Sequence, residues 1–398
     1  MAGDGRVRRV GAAALCLVLP LVGCAGRTAA DSARSEVQRL LDMRSAALLR
    51  HDEGAYDATG ARAEYTRLRA LPLASWAYRV TALRRTAAGA TADTELTYRV
   101  AGYDRAPVDT RRTVALSRTA QGTWYVTADR PAGGVGQQLW DQGTVTAVPG
   151  AHSLVLGAGQ SPADLGAYVR MADRAVPAVS KEWGTDWTRK VVVVVPKSLD
   201  GMAGLLGSPA ADYRGIAAVT TGEAGGAGRT PADRVVINPD AYAALGTLGR
   251  QVVLTHETTH VATRTRTTSA TPLWLSEGYA DWIGYLDTDR TPTEAAPELA
   301  RAVRDGRVPA ALPTDKDFGF TSDPTELAQA YEGGWLACRM IADRWGPARL
   351  TAFYRALGTH STHSTRTAAL TDALRTVLGT TPRAFTAAWR QYLGDQLR

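Results

Sequence analysis

The sequence predicts an α+β protein in three parts: an N-terminal α+β unit, a small mixed sheet above a pair of helices, and a C-terminal lobe of helices alone. Three observations predict it. Four alternating runs between residues 76 and 128, with helical patterns before them, read as helices followed by an antiparallel meander. Five consecutive valines, Val191–Val195, read as a strand buried on both faces. From residue 288 onward the apolar residues recur at helical spacing.

The chain opens on a targeting pattern. Arg6, Arg8 and Arg9 form a positive region, and residues 11–22 form an apolar stretch too short to span a bilayer comfortably. It ends Leu21-Val22-Gly23-Cys24, which resembles a bacterial lipobox. That resemblance makes residues 1–23 a lipoprotein signal peptide and Cys24 the lipid-bearing first residue of the mature chain. An ordinary cleaved signal peptide is the alternative. Residues 24–34, small and polar, then read as a tether off the membrane. Residues 35–132 form the α+β unit. Val37, Leu40, Leu41, Ala47 and Leu48 share one helical face within 33–51. Residues 52–60 read as a turn, and 63–68 as a short helix. Strands follow at 76–83, 94–100, 110–117 and 123–128. This order resembles the cone-shaped fold of nuclear transport factor two and the small polyketide cyclases.

Pro131-Ala132-Gly133-Gly134 marks a boundary, and residues 137–287 form the second part. Strands are expected at 144–148 and 153–156. A helix over 164–183 is capped by Ser161 with Pro162 as its first residue. The valine strand, a short helix at 198–206 and two strands at 215–221 and 234–238 complete the sheet. Either of these last two is a candidate edge for pairing with an extended peptide. The Gly-rich loop 222–228 lacks the Lys-Ser/Thr of a phosphate cradle. Residues 288–398 form the helical lobe, with helices at 294–305, 325–345, 348–357, 365–378 and 382–393.

Composition narrows the function. Hydrophobic content of 45% and charged content of 21% over 398 residues describe a globular protein with ample core. The net charge of +7 is mostly arginine, since lysine occurs only at 181, 190, 197 and 316. No compact basic block with interleaved aromatics exists, so no nucleic-acid partner is expected. Of three cysteines, Cys16 lies in the targeting segment and Cys24 at its end. Cys338, within an apolar helical pattern, reads as a buried small hydrophobe, leaving no disulfide framework.

The chemistry gathers in His256-Glu257-Thr258-Thr259-His260, behind the apolar run Val252-Val253-Leu254. Residues four apart on a helix share a face, so both imidazoles can meet one metal ion. Glu257 is then a carboxylate base beside the water that zinc acidifies. A catalytic zinc needs a third protein ligand. Sixteen residues separate His260 from Glu277 in Trp274-Leu275-Ser276-Glu277-Gly278-Tyr279-Ala280-Asp281-Trp282, on a helix expected to be capped by Thr271 with Pro272 first. Glu277 is a candidate for that third ligand. Asp281, one turn on, shares its face and can accept from the far nitrogen of His256 or His260.

These segments resemble the gluzincin metallopeptidases, the clan of thermolysin and the zinc aminopeptidases. The resemblance implies zinc held by His256, His260 and Glu277, Glu257 as general base, and Asp281 behind a ligand. It also implies a role for Tyr331. Tyr331-Glu332-Gly333-Gly334 matches a Tyr-x-x-Gly segment whose phenol stabilises the developing oxyanion. His360 and His363, in a polar loop, are lesser candidates for that task. The amine-binding Gly-x-Met-Glu-Asn segment of the aminopeptidases is absent before His256, which puts exopeptidase action in question. The expected function is a membrane-anchored extracytoplasmic zinc metallopeptidase with peptides or proteins as substrates. Alternatives are a non-catalytic lipoprotein that binds a ligand or partner through its N-terminal unit, with a residual zinc site, and a zinc hydrolase acting on wall cross-links.

Overall fold

The computed structural model describes residues 29–86, 89–221, 232–319, 323–359 and 365–398. The predicted targeting segment with Cys24, the loop at 222–228, His360 and His363 lie outside the described residues.

The N-terminal unit is a four-stranded antiparallel sheet in the order β1 (Leu73–Thr86), β2 (Gly89–Val100), β3 (Val108–Arg118), β4 (Trp124–Pro131). Helix α1 (Ala29–Leu49) lies against it and buries Val37, Leu40, Leu41, Ala47 and Leu48. Residues 29–34, expected as tether, are its first turns. Gln38 joins the helix to the sheet. Its amide donates to the Tyr78 carbonyl (2.7 Å) and accepts from the Val80 N–H (2.8 Å), beside the irregularity in β1 between Val80 and Ala82. The stretch read as a turn holds a short helix, α2 (Glu53–Asp57), because the Asp52 carboxylate caps it through the Ala55 N–H. Helix α3 spans Ala63–Leu68.

A second sheet runs β5 (Val145–Pro149), β6 (Ser153–Ala158), β7 (Val191–Val195), β9 (Val235–Ile237), β8 (Ala218–Thr220). The three inner strands are parallel and both edges antiparallel. Helix α4 (Pro162–Trp183), started by a capping box between Ser161 and Asp164, supplies the crossover from β6 to β7. Helix α5 (Leu199–Leu206) follows β7, and α6 (Pro239–Ala244), capped by Asn238 and not foreseen, follows β9.

The sheet's two faces go to different cores, as the period of two dictates. Val155, Val191, Val193, Val195, Ala218, Val235 and Ile237 pack with the helices that carry the histidines. Leu154, Leu156, Val192, Val194, Val219 and Val236 pack with the N-terminal unit. Leu139 and Trp140, past the expected boundary, also lie in that N-terminal core. The parts read as 35–132 and 137–287 are therefore consecutive in sequence but continuous in packing. Polar ties reinforce the join: the Tyr103 hydroxyl donates to the Ser153 carbonyl (2.8 Å), and Arg234 pairs with the buried Asp104 (2.7 Å).

Helices α7 (Thr247–Thr263) and α8 (Leu273–Tyr285) lie beneath the sheet. The single helix expected over 294–305 is two, α9 (Pro292–Ala295) and α10 (Pro297–Arg304). Pro297 excludes helical backbone at Ala296, which sits at φ −125°, ψ 60°. Helices α11 (Pro324–Trp345), α12 (Pro347–Thr359), α13 (Arg366–Leu378) and α14 (Pro382–Leu397) complete the lobe. Cys338 is buried there as a free thiol, its pKa pushed up by burial.

Candidate metal centre

Helix α7 carries both histidines on the side that meets α8. Leu254, Thr258 and Ala262 bury the rest of that helix, and Thr258 and Thr259 return their hydroxyl protons to carbonyls one turn back. Helix α8 does not start as expected. Pro272 takes the cap position, while the Thr271 hydroxyl accepts from the Thr268 N–H (3.2 Å). The open Leu273 N–H donates to the Asp315 carboxylate (3.0 Å), which Arg366 pairs with in turn. A distant acid thus caps the helix that carries Glu277, a favourable place for negative charge.

Two glycines set how closely α8 meets α11. A Cβ on Gly278 would lie 2.2 Å from the Gly334 carbonyl oxygen, and one on Gly334 would lie 2.6 Å from the Trp274 carbonyl oxygen. Any larger residue forces the helices apart. The contact places Tyr331 and Glu332, one turn before Gly334, next to the C-terminal half of α8.

His256, His260 and Glu277 converge, each offering one ligand atom, all within 4.8 Å of one another. The two Nε2 atoms are 2.9 Å apart. Glu277 Oε2 lies 3.3 Å from His256 Nε2 and 3.5 Å from His260 Nε2. Tetrahedral zinc, with ligands about 2.0–2.1 Å away, separates its donors by about 3.3 Å. Two neutral imidazoles and a carboxylate with this spacing fit zinc both in donor type and in distance. The second ring nitrogen of His256 lies 2.8 Å from Asp281 Oδ1. A proton held on Nδ1 by that carboxylate leaves the Nε2 lone pair for the common point.

The electrostatics agree. Burial opposes charge on His256, but Asp281 and Glu277 outweigh it and push the pKa up to about 10. Burial would raise the Glu277 carboxyl, yet His260 and His256 hold it well below the ordinary carboxylate range. The pocket is built to hold positive charge.

Glu257 is buried on α7, and its Oε2 accepts a 2.6 Å hydrogen bond from the hydroxyl of Thr220 on β8. The sequence offered no signal for Thr220, because a strand residue 37 positions earlier has no spacing relation to the motif. Tyr331 packs edge-on against Phe318 and lines a cavity of about 210 Å³ together with Asp281, Tyr285, Glu332 and Trp335. Glu332 accepts from the N–H groups of Glu298 and Leu299 at the start of α10, and burial pushes its carboxyl up to about 7. Asp281 and Tyr331 are thus brought to one cavity beside the cluster.

No protein-family model matches the sequence, and no curated protein matches it. Among solved structures, the chain is similar to the M1 zinc metallopeptidase from Deinococcus radiodurans, at 18% identity and TM-score 0.35. A mutant of it bound to a Tyr-Ser-Ala substrate gives 17% and 0.36, and a two-domain M1 zinc metallopeptidase mutant bound to L-arginine gives 16% and 0.33. Each comparison covers 72% of this chain but only 61% of the other. Likeness at these scores carries no chemistry across, and the site stands on its own geometry.

Proposed function

We propose that this protein is an extracytoplasmic zinc metallopeptidase, held at the membrane through a lipid on Cys24, that hydrolyses peptide bonds in peptides or proteins. One observation carries the enzymatic reading: His256, His260 and Glu277 converge at ligand spacing, with Asp281 behind one of them and Glu257 next to His256 on the same turn. A purely structural zinc has no use for that glutamate. Zinc, when bound, supplies Lewis acidity that activates water and polarises a carbonyl. The chain's own residues do the rest. Glu257 takes the proton from the attacking water and returns it to the leaving amine. The Tyr331 phenol donates to the carbonyl oxygen as it gains charge.

Strand β8, and not β9, forms the edge of the sheet at this end. Asn238 N–H bonds the Ala217 carbonyl and Thr221 N–H bonds the Arg234 carbonyl, with Val219 opposite Val236 between them. Alternation in an antiparallel pair then turns the backbone groups of Ala218 and Thr220 outward. Among the described residues no strand pairs with that edge. Thr220 is nonetheless fully buried and Ala218 and Val219 nearly so, so the edge as it stands is covered and offers no open ladder to an extended peptide.

The test is a peptide-library digest with wild type and Glu257→Gln, with zinc content measured alongside. Wild type is expected to bind one zinc and cleave peptides, and Glu257→Gln to keep zinc while losing about a thousandfold or more in turnover. Wild type that binds no zinc, or a variant as active as wild type, overturns the reading. For the anchor, mature protein from a lipidating host is expected to carry diacylglycerol on Cys24, and its absence by mass spectrometry removes that part. Among the described residues no helix is long and apolar enough to cross a membrane.

A further inference from the structure

We propose that Thr220 is a positioning residue for the general base: its hydroxyl holds one carboxylate oxygen of Glu257 and so fixes the orientation of the carboxylate. The inference rests on the peptidase reading above and adds a residue to it from a different layer of the fold.

The contact is short and enclosed. Thr220 Oγ1 lies 2.6 Å from Glu257 Oε2 and 3.2 Å from the Glu257 main-chain oxygen. Thr220 has no exposed surface and Glu257 retains 6%. A hydroxyl has one proton, and the shorter contact to an ionised oxygen takes it. The main-chain oxygen sits within reach of the same hydroxyl, so Thr220 touches both ends of the glutamate.

The hydroxyl is itself held firmly. Thr220 is β-branched and lies on a strand, where side-chain rotation is restricted. Its neighbours on that sheet face, Ala218 and Val235, belong to the core that also contains Leu254 of α7. Strand β8 is further tied to the end of α7, because Arg264 donates to the Thr221 carbonyl (2.8 Å) and to Asp233 (2.9 Å). Glutamate has three rotatable bonds, and a base that samples several rotamers spends less time within proton-transfer distance. A rigid donor from the sheet removes that freedom without touching the metal ligands. A valine has the same shape and lacks the donor, whereas a serine keeps the donor and loses a methyl.

The experiment compares Thr220→Val, Thr220→Ser and Glu257→Gln, singly and with Thr220→Val combined with Glu257→Gln, on zinc-loaded full-length protein. Thr220→Val is expected to lower kcat about tenfold to a hundredfold with KM within about twofold and zinc content unchanged. Thr220→Ser is expected to recover kcat to within about threefold of wild type. In the Glu257→Gln background the valine is expected to lower residual turnover by less than about twofold, since its effect passes through the carboxylate. A second readout needs no turnover. Thermal unfolding of the metal-free proteins is expected to show Thr220→Val lowering Tm more with Glu257 intact than in the Glu257→Gln background. Equal kcat in Thr220→Val and wild type, or equal losses from the valine in both backgrounds, overturns the proposal and leaves the peptidase reading intact. Wild type without zinc-dependent cleavage overturns both.

Discussion

Among the described residues, two buried clusters of charge are assembled on opposite principles, one in the N-terminal unit and one at the helix pair. In the N-terminal unit, Arg112 donates to Asp129 and, through both terminal nitrogens, to Asp141, while Arg44 donates to Glu64. The Tyr78 hydroxyl takes the second oxygen of Asp129, and the Asp129 N–H takes the second oxygen of Glu64. All six oxygens of these three acids accept a hydrogen bond. The adjoining cavity is about 10 Å³, room for about one water. At the helix pair, by contrast, two ring nitrogens and a carboxylate oxygen turn toward one another, three groups that each bring a lone pair. The first cluster is complete within the chain. The second wants a cation at its centre. Burial and charge alone do not distinguish a site from a strut; the direction of the lone pairs does.

The largest expected effect breaks the second cluster without the first. Glu277→Ala is expected to reduce bound zinc from one per chain to near zero by elemental analysis, with the fold retained by circular dichroism. Full zinc in that variant would make the convergence incidental. The reciprocal variant, Arg112→Leu, strands Asp129 and Asp141 in the N-terminal core. It is expected to cost about 3–5 kcal/mol in chemical unfolding while leaving zinc stoichiometry unchanged. A loss of zinc there would show that the shared core carries strain across the second sheet to the helices.

A smaller effect separates the clusters by pH. In metal-free protein the His256 pKa lies near 10 against an ordinary 6.5. A raised folded value gives stability that is fully present below about pH 6.5 and lost as pH rises toward 10. The lowered Glu277 value works in the opposite sense, its contribution present above about pH 4.5 and lost in acid. Chelator-treated protein is therefore expected to lose on the order of 1–3 kcal/mol between about pH 6 and pH 9 in urea melts. Zinc-loaded protein is expected to lack that slope, because the metal has replaced the proton on His256.

The same contrast explains what the residues alone could reveal. His256 and His260 are four apart on one helix, and Glu277 and Asp281 four apart on the next, so local periodicity carries the grouping. The core face of α1 and the valine strand were legible for the same reason. Thr220, Asp315 and the Gly278–Gly334 contact were not, since each acts across a long sequence separation. Arg112 looked like one more arginine in an arginine-rich chain until β3, β4 and the turn at Asp141 surrounded it. The shared core was hidden because a strand buried on both faces does not say what covers each face. The break at Ala296 was readable from Pro297, but the helical spacing on either side of it masked the signal.

The finest test lies one layer behind the metal cluster. Asp281 touches Nδ1 of His256, the nitrogen turned away from Glu277 and His260. Asparagine keeps the size and can still accept from that N–H, so the ring is expected to stay in place while the charge behind it is lost. Partners in this position typically contribute about tenfold to a hundredfold in metal affinity, roughly 1.4–2.7 kcal/mol. Asp281→Asn is therefore expected to weaken zinc binding by that factor in competition with a chelator, far less than Glu277→Ala. It is also expected to flatten the slope of the metal-free protein between about pH 6 and pH 9, because Asp281 is the main charge that raises the His256 pKa. Should the slope persist with the charge gone, Glu277 alone holds the proton, and the cluster stores its positive charge between α7 and α8 without help from behind.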